Sequence, residues 1–190
     1  QSRLNRNNLF WFDDTAPGWL ANSRYCRHNP MKLNRLTLKN FRCFEELEID
    51  FHDQLTVLIA PNGAGKTTVL DAARIALSSF IKGIDVSSAR PHVLASITPD
   101  DVRLQKMPSG SMEPQKPSRI TADGIFCTHE PDIITWYAER RSVEPKTRMF
   151  RDDIYDSITS VATELQKKAQ DEQTSDSTEL PLILYQGTGR

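Results

Sequence analysis

The stretch Ala60-Pro61-Asn62-Gly63-Ala64-Gly65-Lys66-Thr67-Thr68 decides the reading of this chain. To its left lies the apolar run Leu55-Thr56-Val57-Leu58-Ile59, and to its right Val69-Leu70-Asp71-Ala72-Ala73 opens a helical pattern. A strand, a glycine-rich loop and a helix therefore follow one another. The spacing is that of a phosphate-binding loop: Gly, four residues, then Gly-Lys-Ser/Thr. Ala60 stands at the first glycine place, where the strand ends, and Gly65, Lys66 and Thr67 fit the rest. Successive backbone N–H groups in such a loop form an anion-binding nest. Gly63 and Gly65 permit backbone angles that a side chain forbids. A helix starting near Gly65 adds unpaired N–H groups and the positive end of its dipole. Lys66 is placed to reach the β- and γ-phosphates, and the Thr67 hydroxyl to sit on Mg²⁺. The other reading, a strand-to-helix turn without ligand, is weaker because all three flanking signals agree with the motif.

Outward from the loop, the pattern becomes organised at Met31. Residues 32–39 read as a strand with Leu36 and Leu38 on one face, and residues 40–44 as a turn. Glu46-Leu47-Glu48-Ile49-Asp50-Phe51 alternates strictly, which predicts a half-buried antiparallel strand. Residues 55–59 are nearly all apolar, which predicts a central strand buried on both faces. A helix is predicted over residues 66–80, with Val69, Leu70, Ala73, Ala76, Leu77 and Phe80 on its apolar stripe and Gly83 as a stop signal. Residues 108–117 hold three prolines with Ser and Gly and read as an exposed loop.

Runs 119–127 and 133–139 predict a hairpin with Ile134, Trp136 and Ala138 on one face. A second helix is predicted over 153–168, carrying Ile154, Ile158, Val161, Ala162 and Leu165. After a polar, acidic linker at 170–179, residues 181–185 read as a short buried strand. Residues 1–30, rich in Asn and Arg, show neither period, so they are read as an unstructured or non-native extension and Met31 as the true start.

Composition narrows the class without naming a partner. The 190 residues suit one domain, with perhaps a fragment of a second, and suffice for a real core. With 24 basic and 25 acidic residues the net charge is −1, so bulk charge offers no argument for nucleic acid. Cys26, Cys43 and Cys127 are scattered and odd in number, which fits a reducing, cytoplasmic setting better than a disulfide framework. Cys26-Arg27-His28 and Cys127-Thr128-His129 lack a second pair at ligand spacing and read as chance placements. No apolar run approaches the roughly 18 residues of a membrane span, so no membrane partner is expected.

The order of parts resembles a known family. The segments KLNRLTLKNFRCF (32–44) and LTVLIAPNGAGKTTVLDAARIAL (55–77), separated by the alternating strand, resemble the N-terminal half of the ATPase head of SMC-, RecF- and SbcC-like proteins, which are ABC-type ATPases. The closing LPLILYQGTGR resembles a segment of bacterial AAA-type ATPases, some of which sit beside retrons or in Septu-like anti-phage systems. The resemblance implies an α/β P-loop NTPase fold, an ABC-ATPase-like head with an antiparallel β subdomain on a partial parallel sheet, spanning 31–190. It implies ATP and Mg²⁺ as cofactors, with residues Asn62, Gly63, Ala64, Gly65, Lys66, Thr67 and Thr68 holding phosphates and metal. Asn62 would approach the γ-phosphate or the attacking water. Arg42 matches the basic position of the turn near the nucleotide, and reads equally as a solvated turn arginine. Gln186 follows a short apolar run as a Q-loop glutamine does, which would place it with Thr67 on the metal. Its other reading is a strand-end turn residue, since Gly187-Thr188-Gly189 is not a general Q-loop pattern.

The departures shape the functional expectation. No apolar run here ends in the Asp-Glu pair of a Walker B strand, and no LSGGQ-like segment or later switch histidine follows. The chain therefore reads as the first half of a head, with no catalytic residue identified in it. The resemblance implies a homodimer of heads closing on ATP, with a nuclease partner or DNA as further partners. Four functions compete: an ATPase of anti-phage defence, a DNA-repair ATPase, a nucleotide-gated scaffold that does not hydrolyse, and a kinase or GTPase. The antiparallel strands ahead of the loop weigh against the last.

Overall fold

A computed structural model of the chain describes residues 31–84, 95–127, 131–144, 153–171, 181 and 183–185. The expected extension at 1–30 and residues 172–179 of the linker expected over 170–179 lie outside them. Strand β1 (Met31–Phe41) and strand β2 (Phe44–Asp50) are followed by helix α1 (Lys66–Gly83) and a 3-10 turn at Pro99–Asp101. Two short strands, β3 (Leu104–Lys106) and β4 (Met112–Pro114), precede β5 (Ser118–Cys127), β6 (Pro131–Arg140) and helix α2 (Asp153–Gln170). The main sheet runs in the order β2-β1-β5-β6, and every neighbouring pair is antiparallel.

The two-residue period of a strand builds this sheet. Leu36 pairs with Ile49 on β2 and Ala122 on β5, and Ala122 pairs with Trp136 on β6. Leu38, Leu47, Ile120 and Ala138 form the next row in the same way. One face is thus continuously apolar, while charged pairs such as Arg35–Asp50 and Arg119–Glu139 occupy the other. Helices α1 and α2 pack on each other and against the β5–β6 side of the sheet. Trp136, fully buried, donates its indole N–H to the Ala76 carbonyl at 3.0 Å and so joins β6 to α1. The helices cross closely at Gly83, where an added Cβ would stand 2.4 Å from the Thr159 carbonyl oxygen.

The helix α1 stripe is rotated from its expected position. Val69, Ala76 and Phe80 are buried as read, but Ala72 and Ile75 are buried with them while Leu70 is half exposed. Residues 104–114 form a hairpin that takes in most of the loop expected over 108–117, with Leu104 opposite Pro114 and the turn closed by Met107 N–H to Ser111 O at 2.8 Å.

Two apolar runs behave differently from their reading. Residues 55–59 belong to no strand, and Leu55, Val57 and Ile59 are 72%, 57% and 56% exposed. A strand buried on both faces requires a neighbour to cover each, and no described strand pairs with this segment. Leu58 alone of the run packs partly against the core. Residues 181 and 183–185 likewise form no strand, and Leu184 is 86% exposed, with Ile183 packed partly on the core. An antiparallel β subdomain is therefore present, whereas no parallel strand pair occurs among the described residues.

Candidate functional site

The glycine-rich loop takes the backbone its sequence requires. Gly63 has φ +80° and Gly65 φ +95°, both in the left-handed region open to glycine. Gly65 is also the N-cap of α1, and no side chain caps that helix end. The first helical bond runs from Val69 N–H to Gly65 O at 3.1 Å, so the N–H groups just before it have no intrahelical acceptor. No acidic residue occupies the first turn. An uncapped helix end without carboxylates suits an anion.

Lys66 is the first residue of α1, and its ammonium donates back to the carbonyls of Ala60 at 2.5 Å and Pro61 at 2.9 Å. The cation is thereby kept within the loop itself. Asn62, Gly63 and Thr67 are exposed, and Ala64 and Gly65 are half-buried. Thr68 is buried, with its hydroxyl 3.9 Å from Cys43 Sγ. The open Thr67 hydroxyl is thus better placed than that of Thr68 to meet a metal ion. Gln186 lies outside the described residues.

The turn between β1 and β2 is packed against this helix end. An added Cβ on Gly65 would stand 2.4 Å from Phe44 Cζ and 2.9 Å from Cys43 Sγ. Asn40 (φ +50°) and Arg42 (φ +48°) both adopt left-handed backbone. Asn tolerates this well, but for Arg42 it costs about 1–2 kcal/mol. The last residue of the 3-10 turn and the segment after it hold the strained turn in place: Arg42 N–H donates to Asp101 O at 2.7 Å, and Arg103 N–H to Asn40 O at 3.0 Å. Arg42 is therefore more than a solvated turn residue. Its Nε donates to Asp101 Oδ1 at 2.7 Å and its Nη1 to Asp71 Oδ2 at 2.6 Å.

Asp71, Asp101 and Tyr185 join the site without having been expected there. Tyr185 donates its hydroxyl to Asp71 Oδ1 at 2.6 Å, and Arg74 lies 4.9 Å from the Tyr185 ring centroid. Partial burial pushes the Asp71 carboxyl up, but the hydrogen bonds from Tyr185 and Arg42 outweigh it and hold the group below its ordinary value of 3.8. Burial opposes the charge on Arg42, and the two carboxylates overcome it, raising its pKa. The bond to Asp71 raises the Tyr185 pKa and keeps its hydroxyl a donor. Separations of 29 and 59 residues from Arg42 hide these partners from any local pattern.

A second carboxylate behaves alike. Glu139, buried on β6, meets Arg119 and Arg141. Burial raises its pKa, but the bonds from Arg141 and Arg119 win and lower it from 4.5. Both groups thus have folded-state values below their unfolded ones. Their stabilisation is complete above the unfolded values and disappears as pH falls through the folded ones. We expect the urea midpoint to hold level from neutral pH to about 5 and to drop below about 4. In Glu139→Gln the midpoint should be lower at neutral pH and should fall less on acidification. Urea titrations across that range check this, and an equally steep acid fall in the variant would contradict it.

The sequence from residue 35 to residue 190 matches the model of a family described as an AAA domain. The chain belongs to that family. Among relatives, the DNA replication and repair protein RecF of Lactococcus lactis is 50% identical over 42 residues, 22% of this chain and 12% of that protein. The DNA double-strand break repair Rad50 ATPase of Methanopyrus kandleri is 47% identical over 45 residues, 24% of this chain and 5% of its own length. The OLD nuclease of Thermus scotoductus is 49% identical over 45 residues, covering 24% and 8%. Over these short stretches this AAA-domain chain is similar to the SMC/RecF/Rad50-like, ABC-type ATPases. Each match spans a small share of the relative it touches. No described helix is long and apolar enough to cross a membrane.

Proposed function

We propose that the chain is the nucleotide-binding part of an ATPase that acts on DNA in repair, with residues 60–68 as its triphosphate site. The observation that carries the reading is the left-handed pair Gly63 and Gly65 opening directly into an uncapped helix that begins with Lys66. These groups fit a triphosphate. The loop and α1 amides would take phosphate oxygens, the Lys66 ammonium would leave its loop carbonyls for the β- and γ-phosphates, and the Thr67 hydroxyl would hold Mg²⁺. When bound, Mg²⁺ supplies neutralising charge to the phosphates. Gln186 as a second metal-side residue, Asn62 beside the γ-phosphate, and closure of two heads on nucleotide belong to the same proposal.

RecF is a DNA replication and repair protein and Rad50 a double-strand break repair ATPase, and likeness to both favours repair. The likeness to the OLD nuclease favours, as a second reading, an ATPase working with nuclease activity; an anti-phage role for it rests on the resemblance of residues 180–190 alone. Within these 190 residues no apolar run ends in Asp-Glu, the pair that would orient metal and water. The chain should therefore bind nucleotide yet release phosphate no faster than background. Steady-state phosphate release with Mg²⁺-ATP tests this, and rapid metal-dependent turnover by the 190-residue chain would refute it.

A further inference from the structure

The Arg42 guanidinium is gripped on two sides beside the proposed phosphate loop. Asp101 accepts from Nε at 2.7 Å and Asp71 from Nη1 at 2.6 Å. A guanidinium is planar and its donors form a rigid fork, so two bonds fix the direction of the rest. The Nη2 amino group makes no hydrogen bond to a described residue. Asp71 follows Thr67 by four residues along α1, which puts both on one face of the helix. The turn carrying Arg42 also contributes Cys43 and Phe44, which touch Thr68 and crowd Gly65 at the same helix end.

We propose that Asp71 is a positioning residue of the nucleotide site, which together with Asp101 holds Arg42 so that its uncommitted Nη2 amino group meets a phosphate oxygen of the bound nucleotide. The inference rests on the nucleotide reading above and adds a residue to it. Two carboxylates against one guanidinium leave the trio net negative, so Arg42 contributes direction. Attraction comes from Lys66 and the α1 amides. The second oxygen of Asp71, bonded to Tyr185, links this grip to the segment just ahead of Gln186. Tyr185 therefore restrains the same carboxylate from the opposite side.

A double-mutant cycle on ATP affinity in the intact protein tests the assignment. Asp71→Asn keeps the size of the side chain and removes its charge, and Arg42→Gln removes the guanidinium. Each should weaken ATP binding about tenfold, the worth of one charge-assisted hydrogen bond. The double variant should bind no more weakly than Arg42→Gln alone, because Asp71 acts through Arg42. A structural role for Asp71 would instead make the two losses add. Unfolding midpoints without nucleotide establish that the variants fold, and Arg42→Lys, which lacks the fork, replaces Arg42→Gln in the cycle if that variant does not. Unchanged or tighter ATP binding by Asp71→Asn, or additive losses, overturns the proposal. Lys66→Ala measured alongside separates the two levels: if it too leaves ATP binding intact, the nucleotide reading itself has failed.

Discussion

Replacing Lys66 by alanine should reduce ATP affinity at least about thirtyfold while leaving the fold untouched. Removing one partner of a close, desolvated charge contact costs about 2–5 kcal/mol, and each 1.4 kcal/mol is tenfold. In the protein without nucleotide the ammonium touches only its own loop, at the Ala60 and Pro61 carbonyls. Those carbonyls lie in a partly exposed segment and can turn to water, so their loss of a donor is small. Alanine is also the best helix former for the first position of α1. The unfolding free energy should thus change by no more than about 0.5 kcal/mol. Titration with a labelled ATP analogue, beside a urea melt, checks both halves. Unchanged affinity would remove Lys66 from the site.

Gly65→Ala should damage the fold itself, by about 2–5 kcal/mol. The left-handed backbone at φ +95° costs a side chain about 1–2 kcal/mol. A Cβ there would further stand 2.4 Å from Phe44 Cζ and 2.9 Å from Cys43 Sγ. Phe44 is buried, so its ring cannot simply swing away, and forced repacking adds about 1–3 kcal/mol. Gly63 provides the control. Its φ is +80°, yet nothing lies within 4 Å of its added Cβ, so Gly63→Ala should cost the backbone strain alone. Chemical unfolding of both variants tests the contrast, and equal losses would mean that the turn does not press on Gly65 as described.

These two positions illustrate what could be read from sequence. The left-handed backbone at Gly63 and Gly65 and the helix start at Lys66 were legible because a strand-to-helix turn of this kind is contiguous and demands glycine at those angles. Strands β1, β2, β5 and β6 were legible because one face is buried, which imprints alternation at Leu36, Leu38, Leu47, Ile49, Trp136 and Ala138. The apolar runs at 55–59 and 181–185 were misread for a related reason. Such a run records that a segment favours burial and says nothing of which neighbour covers it; Leu55, Val57, Ile59 and Leu184 lie exposed. The rotation of the α1 stripe toward Ala72 and Ile75 reflects the sheet and α2 packing against it, which no local period carries. Asp71, Asp101 and Tyr185 were invisible because the fold, and not their spacing, brings them to Arg42.

The central claim, that residues 60–68 hold a nucleoside triphosphate, is tested most directly by competition against a bound fluorescent ATP analogue in the presence of Mg²⁺. If the loop amides and Lys66 recognise the β- and γ-phosphates, unlabelled ATP and ADP displace the analogue, whereas AMP, which lacks both phosphates, does not. Failure of the analogue to bind saturably, or displacement by AMP as effective as by ATP, would contradict the account.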